Sequence, residues 1–182
     1  MDHARALVVY YSRTGTTFDL ARAIHRELGG EIEPILDRTR RSGPLGYLRS
    51  AVDATFHRPT VLRPMRTDPN DYDLVLVGTP IWNASISAPV RTYLQANRDR
   101  IRRVAFFCTY GGTGSRLALR EMEAVCGQSP VATLVVRADD VRSSHAAQKV
   151  RAFASVWRPR SSSGPSGPSG PSLRPPLVEV VT

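Results

Sequence analysis

Lysine is almost missing from this sequence: Lys149 stands alone among 25 basic side chains, and all the others are arginine. A nucleoside-triphosphate loop needs a lysine directly after its glycines to reach the phosphates, and no such run is present. The GxGxxG of a dinucleotide turn is missing too. Cysteine is equally scarce. Cys108 and Cys126 are the only two, with neither CxxC spacing nor a secretory leader, which argues against a disulfide framework or a structural zinc site and makes two buried free thiols the expectation. No apolar run approaches the ~18 residues of a membrane-spanning helix. The N-terminal MDHARALVV is too short and too strand-like for a signal peptide. The expectation is a cytoplasmic protein without a membrane span. Of the four histidines, His3, His25 and His145 fall at a terminus or on helical patterns, and His57 lies in a proline-rich stretch with no identifiable carboxylate partner. They read as surface residues rather than catalysts.

Negative charge is also in short supply, leaving a net +9. Arginine forks bind phosphate bidentately, so nucleic acid is one reading of such a balance. The arginines, however, are scattered through helices, turns and strand ends. No RNA-binding aromatic signature, helix-turn-helix or zinc-finger spacing accompanies them. The expectation is therefore no nucleic acid; an arginine-rich proteome, or an acidic protein partner, explains the charge better.

Apolar segments alternate with helical patterns. Five short runs rich in β-branched or aromatic residues, at 5–11, 31–36, 72–79, 102–110 and 131–137, read as strands. Helical stripes lie between them: Leu20, Ala21, Ile24 and Leu28, stopped by Gly29 and Gly30; Val90 with Leu94; Ala118, Leu119, Met122 and Val125, stopped by Gly127. A last stripe runs through Ala146, Val150, Phe153 and Trp157. Strands that are almost continuously apolar are buried on both faces, so helices must cover both sides of a parallel sheet. The predicted class is α/β, one domain over residues 1–157, which suits a chain of 182 residues. Residues 37–71 form a longer, proline-interrupted connection with a short helix expected at about 45–56. From 158 to 182 the composition changes to a Gly/Pro/Ser-rich run that buries too little apolar surface to fold, and a disordered tail is expected. Its last segment, PLVEVVT, reads either as part of that disorder or as a strand added to a partner's sheet edge.

Ligands of an open parallel sheet bind beyond the carboxyl ends of the strands, where the strand order reverses. Three loops are placed there. The first, Ser12, Arg13, Thr14, Gly15, Thr16 and Thr17, joins a strand to a helix start, whose unpaired N–H groups and dipole favour an anion. The hydroxyls of Ser12, Thr14 and Thr17 suit a terminal monophosphate. Simple helix capping, with Thr16 as N-cap and Asp19 three residues on, competes with that reading. The second loop, GTPIWNASISAP, carries Trp82; the third, CTYGGTGSR, puts Tyr110 before three glycines whose backbone amides can approach a ligand closely. Two aromatics beside amide-rich turns describe a slot for a flat, polar heterocycle.

The alternation of elements, with SRTGTT after strand 1, TPIWNAS after strand 3 and TYGGTG after strand 4, resembles the flavodoxin-like FMN-binding proteins over roughly residues 4–157. The resemblance implies a three-layer sandwich with a five-stranded parallel sheet in the order 2-1-3-4-5, FMN as cofactor and no metal. It implies a phosphate site at Ser12, Arg13, Thr14, Gly15, Thr16 and Thr17. It implies a ring site at Thr79, Pro80, Trp82, Asn83 and Ala84 on one side and Thr109, Tyr110, Gly111 and Gly112 on the other. The function it implies is electron transfer between a reductase and an acceptor. Electron carriers of that family are typically strongly acidic, whereas this chain is basic, so the expected redox partner is an acidic protein. Two other readings stay open: an FMN-dependent quinone or protoporphyrinogen-type oxidoreductase, with Tyr47, Phe56 and nearby arginines as a substrate wall, and a non-redox module that docks acidic partners.

Overall fold

The computed structural model describes residues 5–38, 60–155, 157 and 178–180. Strand β1 (Ala6–Tyr10) leads into helix α1 (Thr16–Leu28) and strand β2 (Glu31–Pro34). After a single 3-10 turn at Pro69–Asp71 come β3 (Leu74–Trp82), the two-residue β4 (Ser85–Ile86) and α2 (Ala88–Asn97). The chain continues through β5 (Val104–Tyr110), α3 (Ser115–Cys126), β6 (Ala132–Arg137) and α4 (Ser144–Ser155), and β7 (Val178–Val180) ends the described part.

Strands β2, β1, β3, β5 and β6 lie side by side in that order, all parallel, which is the predicted 2-1-3-4-5 arrangement in order of appearance. Alternation along the strands builds two cores. Leu7, Val9, Val75, Val77 and Phe106 face α2 and α3, while Val8, Leu74, Leu76, Phe107 and Leu134 face α1 and α4. A strand buried on both sides carries no polar face, which is why β1, β3, β5 and β6 read as nearly unbroken apolar runs, while the edge strand β2 keeps Glu31 exposed. Helix ends follow the glycines: α1 closes on Gly29 at φ 71° and α3 on Gly127 at φ 75°, each donating its N–H to a carbonyl of the last turn.

Two strands differ from the expectation. β4 folds back antiparallel on the end of β3, pairing Ile81 with Ile86 and Trp82 with Ser85. Strand β7 lies within the segment expected to be a disordered tail. It pairs in parallel with β6, Val178 opposite Ala132 and Val180 opposite Leu134, so the free edge of β6 is covered by residues of the same chain. The helix expected at 45–56, with Tyr47, Phe56 and His57, and the Gly-Pro-Ser run both lie outside the described residues. The second connection is anchored by buried Glu33, whose carboxylate accepts from the N–H groups of Arg66 and Thr67 at 2.7 and 2.9 Å and from the Thr67 hydroxyl. Those bonds hold its carboxyl below the usual range even though burial pushes the other way.

Gly78 sits mid-sheet where β3 passes the Phe107 ring. A Cβ there would lie 2.1 Å from two ring carbons, and Phe107 is fully buried with nowhere to move. Gly78→Ala is expected to destabilise the fold by about 2 kcal/mol, seen as a melting temperature lower by roughly 4–8 °C in a thermal scan.

Candidate functional site

Past the end of β1 the chain turns sharply. Ser12 Oγ accepts the Gly15 N–H at 3.2 Å, and Gly15 takes φ 95° as the residue before α1. That left-handed conformation is closed to most side chains, so glycine makes the turn at little cost. Thr16 is already helical and no side chain caps the helix, so the Thr16 N-cap reading is incorrect. First-turn N–H groups have no partner inside the helix, which leaves the start of α1 able to receive an anion. The hydroxyls of Thr14 and Thr16 lie 3.4 Å apart on the same lip. Asp19, in the first turn, would oppose an anion, but Arg142 pairs with it at 2.8 Å.

Thr17 differs from its neighbours. It is buried, and its hydroxyl is 2.8 Å from that of Thr109 at the end of β5. This bond ties the first loop to the third. Thr79 is buried as well and does not reach the site surface. Its hydroxyl bonds the Pro80 carbonyl at 3.0 Å, the Ser87 hydroxyl and the Ser87 N–H, and so braces the start of α2.

The second loop is the two-residue hairpin between β3 and β4. Asn83 and Ala84 have φ 49° and 58°, the left-handed pair of a tight hairpin turn. Trp82 stands edge-on to Tyr11 with centroids 6.0 Å apart. In the third loop nothing lies within 4 Å of where a Cβ would be on Gly111 or Gly112, so their backbone faces open space. Gly114 instead abuts Ala84: a Cβ there would come within 2.3 Å of the Ala84 methyl.

These loops enclose a cavity of about 590 Å³ beyond the carboxyl ends of the strands. Arg13, Thr14, Thr16 and Thr17 line it from the first loop; Pro80, Trp82 and Asn83 from the second; Thr109, Tyr110, Gly111 and Gly112 from the third. Of the expected site residues, Ser12, Gly15, Thr79 and Ala84 do not line the cavity but shape the loops that do. The sequence reading missed Ile81 and Ala138. Ala138 follows β6, and its N–H bonds the Tyr110 carbonyl at 2.8 Å; the end of the fifth parallel strand was the signal for it. Among the described residues, no carboxylate, imidazole or thiol lines the cavity. Both cysteines are buried and free, and burial pushes the Cys108 thiol up to about 12, so it stays protonated.

No protein-family model matches the chain, and no curated protein matches it in sequence. Solved structures do. A flavoprotein from Lactobacillus acidophilus in complex with FMN superposes with a TM-score of 0.65 at 24% identity, over 75% of this chain and 95% of that one. A protein from Bacteroides eggerthii, provisionally described as a flavoprotein, gives 0.70 at 21% identity, over 84% and 97%. Oxidised flavodoxin 2 from Bacillus cereus gives 0.56 at 14% identity, over 84% and 97%. The fold is flavodoxin-like. In a flavodoxin-like sheet the order reverses between β1 and β3, since the chain goes outward to β2 and then returns to the far side of β1. The cavity opens at that switch point, where loops diverge and leave a crevice. Among the described residues no helix is long and apolar enough to cross a membrane.

Proposed function

We propose that the cavity binds FMN and that the protein is a redox flavoprotein carrying electrons between a reductase and an acceptor. The observation that carries this reading is the division of one cavity into two chemistries: hydroxyls and a helix N-terminus at one end, and Trp82, Tyr110 and open glycine backbone at the other. A phosphate fits the first end and a flat heterocycle the second. Thr14, Thr16 and the first amides of α1 would hold the phosphate, with Arg13 adding charge. Trp82, Tyr110 and the backbone at 111–112 would hold the ring and exclude water from it. When bound, FMN supplies the electron transfer; the side chains supply position and electrostatics. Electron relay is the simpler reading because it asks nothing of the lining side chains beyond holding the flavin and setting its electrostatics. The net charge of +9 favours an acidic protein as partner.

The purified protein is expected to be yellow and to release FMN on denaturation, and the apo-protein to regain the flavin spectrum on adding FMN. An apo-protein that leaves FMN fluorescence unquenched would overturn the reading. Turnover of NAD(P)H and a quinone without added reductase would replace electron relay by a quinone oxidoreductase.

A further inference from the structure

We propose that Glu121 and Arg91, neither of which lines the cavity, are positioning residues that set the turn Asn83–Ala84 against the flavin ring; the inference rests on the FMN reading above. Glu121 projects from α3 and Arg91 from α2, and together they grip β4. One Glu121 oxygen accepts from Arg91 Nε at 2.9 Å and from Arg91 Nη2. The other accepts from Ser85 Oγ at 2.7 Å and from the Ile86 N–H at 3.1 Å, while Arg91 Nη2 also donates to Ser85 Oγ at 3.0 Å. The side chain of Arg91 is 3% exposed and that of Glu121 18%.

Stability alone is a poor account of this pair. Two charges withdrawn from water gain little over an apolar pair of the same size, and Arg91 Nη1 is buried with no hydrogen-bond partner among the described residues. What the pair does accomplish is local. β4 is two residues long, too short to fix its own place by backbone pairing with β3. It directly follows two non-glycine residues in left-handed conformation, which persist only where the surroundings dictate them. Glu121 holds the two residues that follow that turn, and Gly114 packs closely against Ala84 within it. Both come from the segment that begins at the third loop, so the pair also fixes how far the second loop stands from the third, which is the width of the ring slot.

Two variants test this. Arg91→Met with Glu121→Leu replaces the pair by apolar side chains of similar volume, and Glu121→Gln keeps one acceptor while turning an NH2 toward either the Ile86 N–H or the guanidinium. Both are expected to fold. FMN and riboflavin affinities, measured by fluorescence quenching, are expected to fall by the same factor, roughly tenfold, the low end of what supporting groups behind a site cost. Amide hydrogen exchange at Asn83–Ile86 in the apo-protein is expected to accelerate while the sheet strands keep their protection. Unchanged affinity for both flavins, or a loss confined to FMN, would overturn the proposal, as would a uniform rise in exchange across the sheet. If the double variant does not fold, Glu121→Gln decides alone. If the unsubstituted protein binds neither flavin, the functional reading falls, and exchange at the turn still shows whether the pair positions it.

Discussion

Replacing Thr14 and Thr16 together by alanine is expected to weaken FMN binding on the order of a hundredfold while leaving riboflavin binding almost unchanged. Their hydroxyls share the lip of the cavity beside the start of α1, and neither is needed to build the turn, which rests on Ser12 and Gly15. Each hydrogen bond to an ionised phosphate contributes about 1.5–3 kcal/mol, so losing two removes at least ~3 kcal/mol, or about two factors of ten. Riboflavin lacks the phosphate and has nothing to lose there. Thr17 supplies the contrast. Its buried hydroxyl bonds Thr109, so Thr17→Val is expected to lower the melting temperature and to weaken both flavins alike, through the loosened junction of the first and third loops. Titration of the apo-proteins with the two flavins checks both variants. Equal losses for FMN and riboflavin in the Thr14 and Thr16 variant would remove the phosphate from this end of the cavity.

The contrast between Thr14 and Thr17 also shows what the amino-acid order can and cannot convey. Four of the five parallel strands were legible because burial on both faces leaves a signature that needs no partner to interpret, uninterrupted apolar residues bounded by turn formers, whereas the edge strand β2, with Glu31 and Glu33, was placed by the alternation of elements around it. The three loops were legible because the carboxyl edge of such a sheet is where ligand-binding turns accumulate. Individual roles inside the loops were not. Nothing in the run of hydroxyls distinguishes Thr17 and Thr79, whose hydroxyls bond Thr109 and Ser87 across the fold, from Thr14 and Thr16, whose hydroxyls lie beside each other at the cavity lip. That choice is made by partners 92 and 8 residues away. The same holds for β4 and β7. A two-residue strand carries no periodicity, and PLVEVVT, which could be read as a strand for a partner's sheet, pairs instead with the edge of β6 in its own chain. Glu121 and Arg91 read as ordinary helix-surface charges on α3 and α2 until β4 is placed between them.

Gly114→Ala is expected to open the ring slot and to weaken FMN and riboflavin together, and removing one methyl elsewhere should partly restore both. Gly114 precedes α3 at φ 96°, a conformation that already costs an alanine roughly 1–2 kcal/mol. The added Cβ would also lie 2.3 Å from the Ala84 methyl and 2.5 Å from its Cα, closer than carbon atoms approach, so either the third loop or the hairpin turn must retreat. Both carry cavity-lining residues, Gly111 and Gly112 on one and Asn83 on the other, and a slot shaped for a flat ring loses contact on at least one face. Ala84→Gly removes the nearer of the two obstacles and relieves the left-handed strain at φ 58° in the same step. In the double variant the clash with the Ala84 methyl disappears, while the contact with Cα and the strain at position 114 remain. Affinity for both flavins should therefore recover part of the way, and the melting temperature with it. Ala84→Gly alone should be near neutral, because relief of strain offsets the greater freedom of glycine in the unfolded chain. Flavin titrations and thermal scans of the three variants form the test. A Gly114→Ala protein that binds riboflavin as tightly as the parent, or a double variant no better than Gly114→Ala, would mean that the contact between Gly114 and Ala84 does not set the spacing of the two loops.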